Sequence, residues 1–88
     1  MDVDAIAVEI LGRILREKGE IVPEMDRKTI LLGGSLGIDS LDLALLLTEL
    51  ETRTGRDPFA AGFVPFKTLG ELVQLYNSPR VAEQEPPP

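Results

Sequence analysis

The residue with the clearest chemical potential is a serine that follows a glycine-rich stretch. Ser40 lies between Asp39 and Asp42, shortly after Gly34 and Gly37. Glycine has no side chain that could shield a neighbouring residue from solvent, so we expect the serine hydroxyl to be exposed at the start of a helix. Unpaired backbone N–H groups and the helix dipole favour a phosphate ester at such a position, although the two carboxylates oppose it. The stretch therefore predicts a site that tolerates a phosphodiester but binds free phosphate poorly.

The amino-acid composition argues against most enzyme mechanisms. The chain has no cysteine and no histidine, so it lacks disulfides, thiolate metal ligands, the commonest zinc ligand and the usual general base. Carboxylates and hydroxyls remain, but they form no clustered carboxylate pair outside the helix caps. We therefore expect neither catalytic residues nor a metal site.

The charge balance indicates which partners suit the chain. Fifteen acidic and nine basic residues give a net charge of -6, which repels nucleic acid and anionic membranes and favours basic partner proteins. No apolar run approaches the roughly 18 residues that span a bilayer, and the N-terminus is acidic where a secretory signal is basic. We expect a cytoplasmic protein that binds neither nucleic acid nor membranes.

The chain is long enough for one small domain, and it begins with a helical pattern. At 88 residues, with 43% hydrophobic and 27% charged residues, it falls outside the disordered class and should fold around a single core. Apolar residues recur at three- and four-residue spacing from Val3 to Leu15. Asp2 or Asp4 is a suitable cap, and Gly19 a stop, so the pattern predicts an amphipathic first helix.

A long loop and a second helix are expected next. From Glu20 to Asp39 no hydrophobic period persists, although apolar residues are scattered through it, so we expect a partly buried loop. The second helix opens at Asp39 and Ser40, both good capping residues, and runs to about Thr54, where Gly55 supplies a stop.

Two further helices and a tail complete the prediction. Asp57 and Pro58 suggest a short third helix near Phe59–Phe63. Thr68 and Glu71 have capping-box spacing and introduce a fourth helix over Leu69–Tyr76. Residues 78–88 are rich in proline and charge, which predicts a disordered tail.

The stretch Gly37-Ile38-Asp39-Ser40-Leu41-Asp42 resembles the phosphopantetheine attachment motif of acyl and peptidyl carrier proteins. The predicted order of elements resembles that family from Val3 to Tyr76. The resemblance implies an all-α, right-handed four-helix bundle, with an acyl carrier domain over residues 1–77. It also implies that Ser40, beside Asp39 and Leu41, carries a 4′-phosphopantetheine arm derived from coenzyme A. The cofactor's thiol would then hold the cargo as a thioester, which suits a chain without cysteine.

The same resemblance implies the partners. They are a phosphopantetheinyl transferase and the acyl- or aminoacyl-loading ligases or synthases of fatty acid, polyketide or specialised biosynthesis, and we expect the carrier to be a monomer. Typical carriers of fatty acid synthesis have a densely acidic second helix. Here Leu45 stands where an acidic residue is usual, and Arg53 and Arg56 lie near the helix end, which favours a specialised stand-alone carrier.

The second helix has more apolar residues than its core face needs. That face is Leu43, Leu46, Leu47 and Leu50. The remaining leucines share a stripe with threonines that begins beside Ser40, and we expect it to dock partners. The predicted docking residues are Leu41, Asp42, Leu45, Thr48 and Glu49, with Thr52 continuing the stripe.

Several alternatives stay open on the sequence alone. The alternative interpretation of Ser40 is an ordinary N-cap, in which case the chain is a small helical adapter without a cofactor. Asp39 and Asp42 serve either the helix start or recognition by the transferase. Leu45 either docks partners or packs under the long loop. The cargo is either an acyl group or an aminoacyl or peptidyl group loaded by a dedicated ligase.

Overall fold

A computed structural model of the chain describes residues 2–34 and 36–77, and these contain three helices and no strand. Helix α1 spans Val3–Glu17, α2 spans Ser40–Thr54 and α3 spans Leu69–Asn77. The all-α class is therefore confirmed. The expected tail over 78–88 lies outside the described residues. Within the described part, no helix combines the length and the apolar character that crossing a membrane requires.

Helix α1 forms where the apolar period predicts it, and local signals define both ends. The Asp2 side chain caps it by accepting a hydrogen bond from the Ala5 N–H at 3.1 Å. After Lys18 the chain turns through Gly19, and the Glu20 N–H bonds back to the Leu15 carbonyl at 2.8 Å. This closing bond, with Gly19 in the left-handed region at φ +77°, is a Schellman turn. The turn aims the residues after α1 toward the start of α2.

The buried residues form one core around α1, which packs against both other helices. The buried core side chains of α2 are Leu46 and Leu50, whereas Leu43 and Leu47 are only partly buried. The core also includes three residues of the loop between α1 and α2, namely Leu31, Leu36 and Ile38. The prediction of a long, partly buried loop is thus confirmed.

Helix α3 begins as its capping signal predicts. The Glu71 N–H donates to Thr68 Oγ1, and Glu71 Oε1 accepts from the Thr68 N–H, both at 3.2 Å. Its buried face is Leu69, Leu72, Val73 and Tyr76. Backbone bonds tie the long loop to this start, because the Leu31 N–H donates to Lys67 and the Leu69 N–H donates to Thr29.

The short third helix expected near Phe59–Phe63 is wrong, because the backbone forms turns there. The Ala60 N–H bonds to the Asp57 carbonyl at 3.2 Å, and the Gly62 N–H bonds to the Phe59 carbonyl at 3.0 Å. Gly62 then adopts φ +131°, a value outside helical geometry, so the turn cannot propagate. A ring cluster holds the segment instead. It contains every aromatic residue of the chain: Phe59, Phe63, Phe66 and Tyr76.

Candidate functional site

The start of α2 is closed by a capping box in which Ser40 takes no part. Asp39 is the N-cap, and its Oδ1 accepts a hydrogen bond from the Asp42 N–H at 2.9 Å. In return, Asp42 Oδ2 accepts one from the Asp39 N–H at 3.0 Å. Two of the backbone donors that a helix start leaves unpaired are thereby satisfied.

Ser40 is the first residue of α2 rather than its cap, and it is exposed. Within the described part of the chain, its hydroxyl has no hydrogen-bond partner. The interpretation of Ser40 as an ordinary N-cap is therefore wrong, because the neighbouring Asp39 performs that role. The hydroxyl is left accessible at the end of a helix that points its positive dipole toward it.

Lys18 links the end of α1 to this helix start. Its Nζ donates to the Gly37 carbonyl oxygen at 2.8 Å and to Asp42 Oδ2 at 2.5 Å. The hydrogen bond from Lys18, with help from the Asp39 N–H, lowers the pKa of Asp42 below its usual value. The same bond to Asp42 raises the pKa of Lys18. Asp42 therefore holds the loop and helix together, and its carboxylate is already paired within the molecule.

The other acidic residue predicted to dock partners is also engaged within the molecule. Glu49 pairs with Arg13 of α1 and is partly buried. A third pair of the same kind joins Arg53 of α2 to Glu9 of α1 at 3.1 Å. The side of α2 that faces α1 is thus neutralised by ion pairs, a feature that was not predicted from the sequence. The alternation of acidic and basic residues in the two helices was the available signal.

The predicted apolar docking residues lie together on the outer face of α2. Leu41 is 80% exposed and Leu45 is 42% exposed, so neither is packed under the long loop. The Thr48 hydroxyl donates to the Ala44 carbonyl at 3.0 Å, and the Thr52 hydroxyl donates to the Thr48 carbonyl at 3.1 Å. Because these hydroxyl protons are turned back to the helix, the face offers few polar contacts. We call Leu41, Ala44, Leu45, Thr48 and Thr52 the outer strip.

A recess on another side of α2 was not expected from the sequence. It encloses about 240 Å³ and is lined by Leu31, Leu32, Leu43, Phe66 and Lys67. Leu43 lies three residues after Ser40, so the recess is about one helical turn from the serine. Its walls are apolar apart from the lysine. The scattered apolar residues of the long loop were the only sequence signal for it.

No protein-family model, curated protein or solved structure matches the chain. Among the described residues, no group of three or more acidic side chains is placed to hold a metal ion.

Proposed function

We propose that the chain is a carrier protein that holds its cargo as a thioester on a 4′-phosphopantetheine arm attached to Ser40. The observation that carries the proposal is the division of roles at the start of α2. Asp39 caps the helix, and the Ser40 hydroxyl stands exposed and unpartnered among the described residues, inside an Asp-Ser-Leu sequence. A serine that does no structural work at a helix start is well suited to covalent modification.

The residues around Ser40 fit a phosphodiester better than they fit a free anion. The helix start supplies a favourable dipole, and the ion pair with Lys18 offsets the charge of Asp42. The apolar recess near Leu43 can shelter part of an attached group. At about 240 Å³ it is smaller than the roughly 300–1,000 Å³ of typical small-molecule pockets, so it suits a short segment of cargo rather than a whole ligand.

The modification makes one bond and breaks another. Ser40 Oγ bonds to the pantetheine-bearing phosphorus of coenzyme A, the pyrophosphate P–O bond breaks, and adenosine 3′,5′-bisphosphate leaves. The serine proton passes to a base on the transferase. Once attached, the arm supplies the thiol that forms the thioester, a group that a chain without cysteine cannot supply itself.

The four-helix carrier bundle is part of this proposal. Helices α1, α2 and α3 correspond in order to the first, second and last helices of such a bundle. The turn at residues 58–61 stands in the chain where such a bundle has its short third helix. The ring cluster around Phe59 gives that segment its own packing, which supports a rigid connection between α2 and α3 without a helical turn.

The proposed partners are a phosphopantetheinyl transferase and a cytoplasmic ligase or synthase that loads an acyl or aminoacyl group. Both must reach Ser40, and the outer strip begins at the next residue, Leu41. Because Asp42 and Glu49 pair with α1, we propose that docking uses the apolar side chains of the strip more than its charge. The net charge of -6 still favours partners that are basic around the contact.

The test is incubation with coenzyme A and a broad-specificity phosphopantetheinyl transferase, followed by intact-mass measurement and peptide mapping. We expect the wild type to gain one phosphopantetheine on Ser40 and Ser40→Ala to gain none. Thr54→Ala is the matched control, since it removes a hydroxyl from the far end of the same helix, outside the outer strip, and should leave modification unchanged. No mass gain, or gain at another residue, contradicts the proposal and favours the adapter without a cofactor.

A second measurement identifies the cargo. Protein purified from its native host should carry the arm, and the mass of the attached thioester separates acyl from aminoacyl groups. Hydroxylamine cleaves thioesters, so the cargo mass should disappear on treatment while the phosphodiester-linked arm remains. Native protein without any arm would contradict the carrier function.

A further inference from the structure

The Lys18 side chain hydrogen-bonds both to the loop before Ser40 and to the helix that Ser40 begins. Its Nζ donates to an oxygen of Gly37, 19 residues later in the chain, and to one of Asp42, 24 residues later. The Schellman turn at the end of α1 brings it there. Asp42 in turn holds the backbone N–H of Asp39, so one network connects Lys18 to the residues around Ser40 along the chain.

Glu20 also lies close to the loop before Ser40. A Cβ atom added at Gly37 would lie 2.8 Å from the Glu20 carboxyl group, so only glycine fits there while Glu20 keeps its place. Lys18 and Glu20 flank Gly19 and both contact Gly37 or its immediate surroundings. The short segment from Gly37 to Asp39 is therefore fitted closely against the end of α1.

We propose that Lys18 is a positioning residue for the modification of Ser40, an inference that rests on the proposed function. It fixes the segment that presents the hydroxyl, and its ammonium reduces the negative charge that coenzyme A meets at the Asp39 and Asp42 carboxylates. Placement of this kind matters because small displacements of a reacting atom slow group transfer strongly. The Lys18 side chain bonds to Gly37 and Asp42, and within the described part of the chain it forms no hydrogen bond with Ser40.

A purely structural role for Lys18 is a weaker explanation of this geometry. The Lys18–Asp42 pair lies at the surface, with about a third of the lysine side chain exposed. Surface ion pairs contribute little to global stability. The core of the molecule is formed by apolar residues elsewhere, so losing the pair should loosen the helix start without unfolding the domain.

The kinetic test compares Lys18→Met with Lys18→Arg during transfer from coenzyme A. We expect Lys18→Met to lower kcat about tenfold while KM for the carrier stays within about twofold, because docking is intact but the hydroxyl is misplaced. Lys18→Arg keeps the charge and the donors, so it should restore most of the rate. Arg27→Met is the matched control: it breaks an exposed pair with Asp4 and should behave as the wild type.

Amide hydrogen exchange gives a readout that does not depend on the transferase. In Lys18→Met, the amides of Asp39 and Asp42 should exchange about tenfold faster, while amides in the middle of α1 keep their wild-type rates. In Lys18→Arg, all of these rates should match the wild type. Unchanged exchange at Asp39 and Asp42 would show that Lys18 does not hold the helix start.

The outcomes separate the two proposals. If the wild type is modified and Lys18→Met is modified at the same kcat, the positioning role is overturned and the carrier function stands. A lowered kcat that Lys18→Arg does not restore also overturns it. If the wild type is not modified at all, the carrier function is wrong and the positioning role ends with it. A double variant Lys18→Met with Asp42→Asn should be no slower than Lys18→Met alone, since both changes break one network.

Discussion

Two adjacent residues at the start of α2 differ in their hydrogen bonding. Asp39 accepts the hydrogen bond that a helix start needs, and Ser40 follows it with a hydroxyl that bonds to no described residue. Both residue types are good caps, so the sequence permits either assignment. The hydrogen bond from the Asp42 N–H decides between them.

This difference in hydrogen bonding predicts unequal losses of stability for two neighbouring substitutions. Ser40→Ala should change the free energy of unfolding by no more than about 0.5 kcal/mol, because it removes no described hydrogen bond and alanine favours helix. Asp39→Ala should cost about 0.5–2 kcal/mol through loss of the cap. Urea unfolding of both variants measures the difference. A Ser40→Ala cost as large as that of Asp39→Ala would mean that the serine is structural after all.

The single tyrosine of the chain should titrate unusually late. Burial, followed by the charges of Asp57 and Glu51, raises the pKa of Tyr76 to about 12. Since an unfolded tyrosine ionises near pH 10, the unfolded state loses its proton first between these values. The contribution of Tyr76 to the free energy of unfolding is therefore fully present below about pH 10 and declines as the pH rises toward about 12.

The absorbance of tyrosinate follows this titration without interference, because the chain has one tyrosine and no tryptophan. We expect little tyrosinate at about pH 10.5 and either a midpoint near 12 or a steep rise when alkaline unfolding exposes the ring. A simple titration centred near pH 10 with the helical signal intact would show that Tyr76 is not buried.

At the scale of elements, α2 presents three different surfaces. Leu46 and Leu50 enter the core, Glu49 and Arg53 pair with α1, and the outer strip beginning at Leu41 contacts solvent. The sequence pattern predicts partner contacts for Glu49, and in the structure this residue pairs with Arg13. The outer strip contains no charged residue, and it starts beside the proposed attachment site.

Adjacent leucines of α2 should therefore respond differently to substitution. Leu45→Glu should change stability by less than about 1 kcal/mol, since the side chain is 42% exposed, yet it should slow loading of the arm by placing a charge on the proposed docking surface. Leu46→Ala should cost about 2–5 kcal/mol, because it leaves a cavity in the core. Thermal unfolding and loading kinetics on the two variants measure the contrast.

The matched control for docking is Glu49→Gln, which removes a charge already paired with Arg13 and should leave the loading rate unchanged. Unfolding of Leu45→Glu would show that Leu45 supports the core. A stable Leu45→Glu that loads at the wild-type rate would place recognition elsewhere.

At the scale of the whole molecule, helix α1 organises both the core and the candidate site. It packs against α2 and α3, and its C-terminal turn places Lys18 against the loop that leads to Ser40. The long loop is anchored at two levels, by buried Leu36 and Ile38 near α2 and by backbone bonds near the start of α3. The serine is thus exposed on a support that is itself well packed.

The helices and their ends could be predicted from the sequence because their signals are local. The caps at Asp2, Asp39 and Thr68 act within three residues of their partners, and the expected bounds agree with the observed ones to within two residues. The motif around Ser40 is equally local, so the amino-acid sequence alone is enough to indicate the candidate attachment site. Its exposure followed from its place at a helix start.

Other features were decided only by the tertiary structure, because they depend on residues far apart in the chain. Arg13 and Glu49 are 36 residues apart, and no local pattern shows that they form an ion pair. The turn near Phe59 replaces a helix because the Phe59 ring packs against Tyr76 of α3 while Gly62 leaves helical geometry. The contact of Lys18 with Gly37 and Asp42 likewise arises only when α1 and α2 pack side by side.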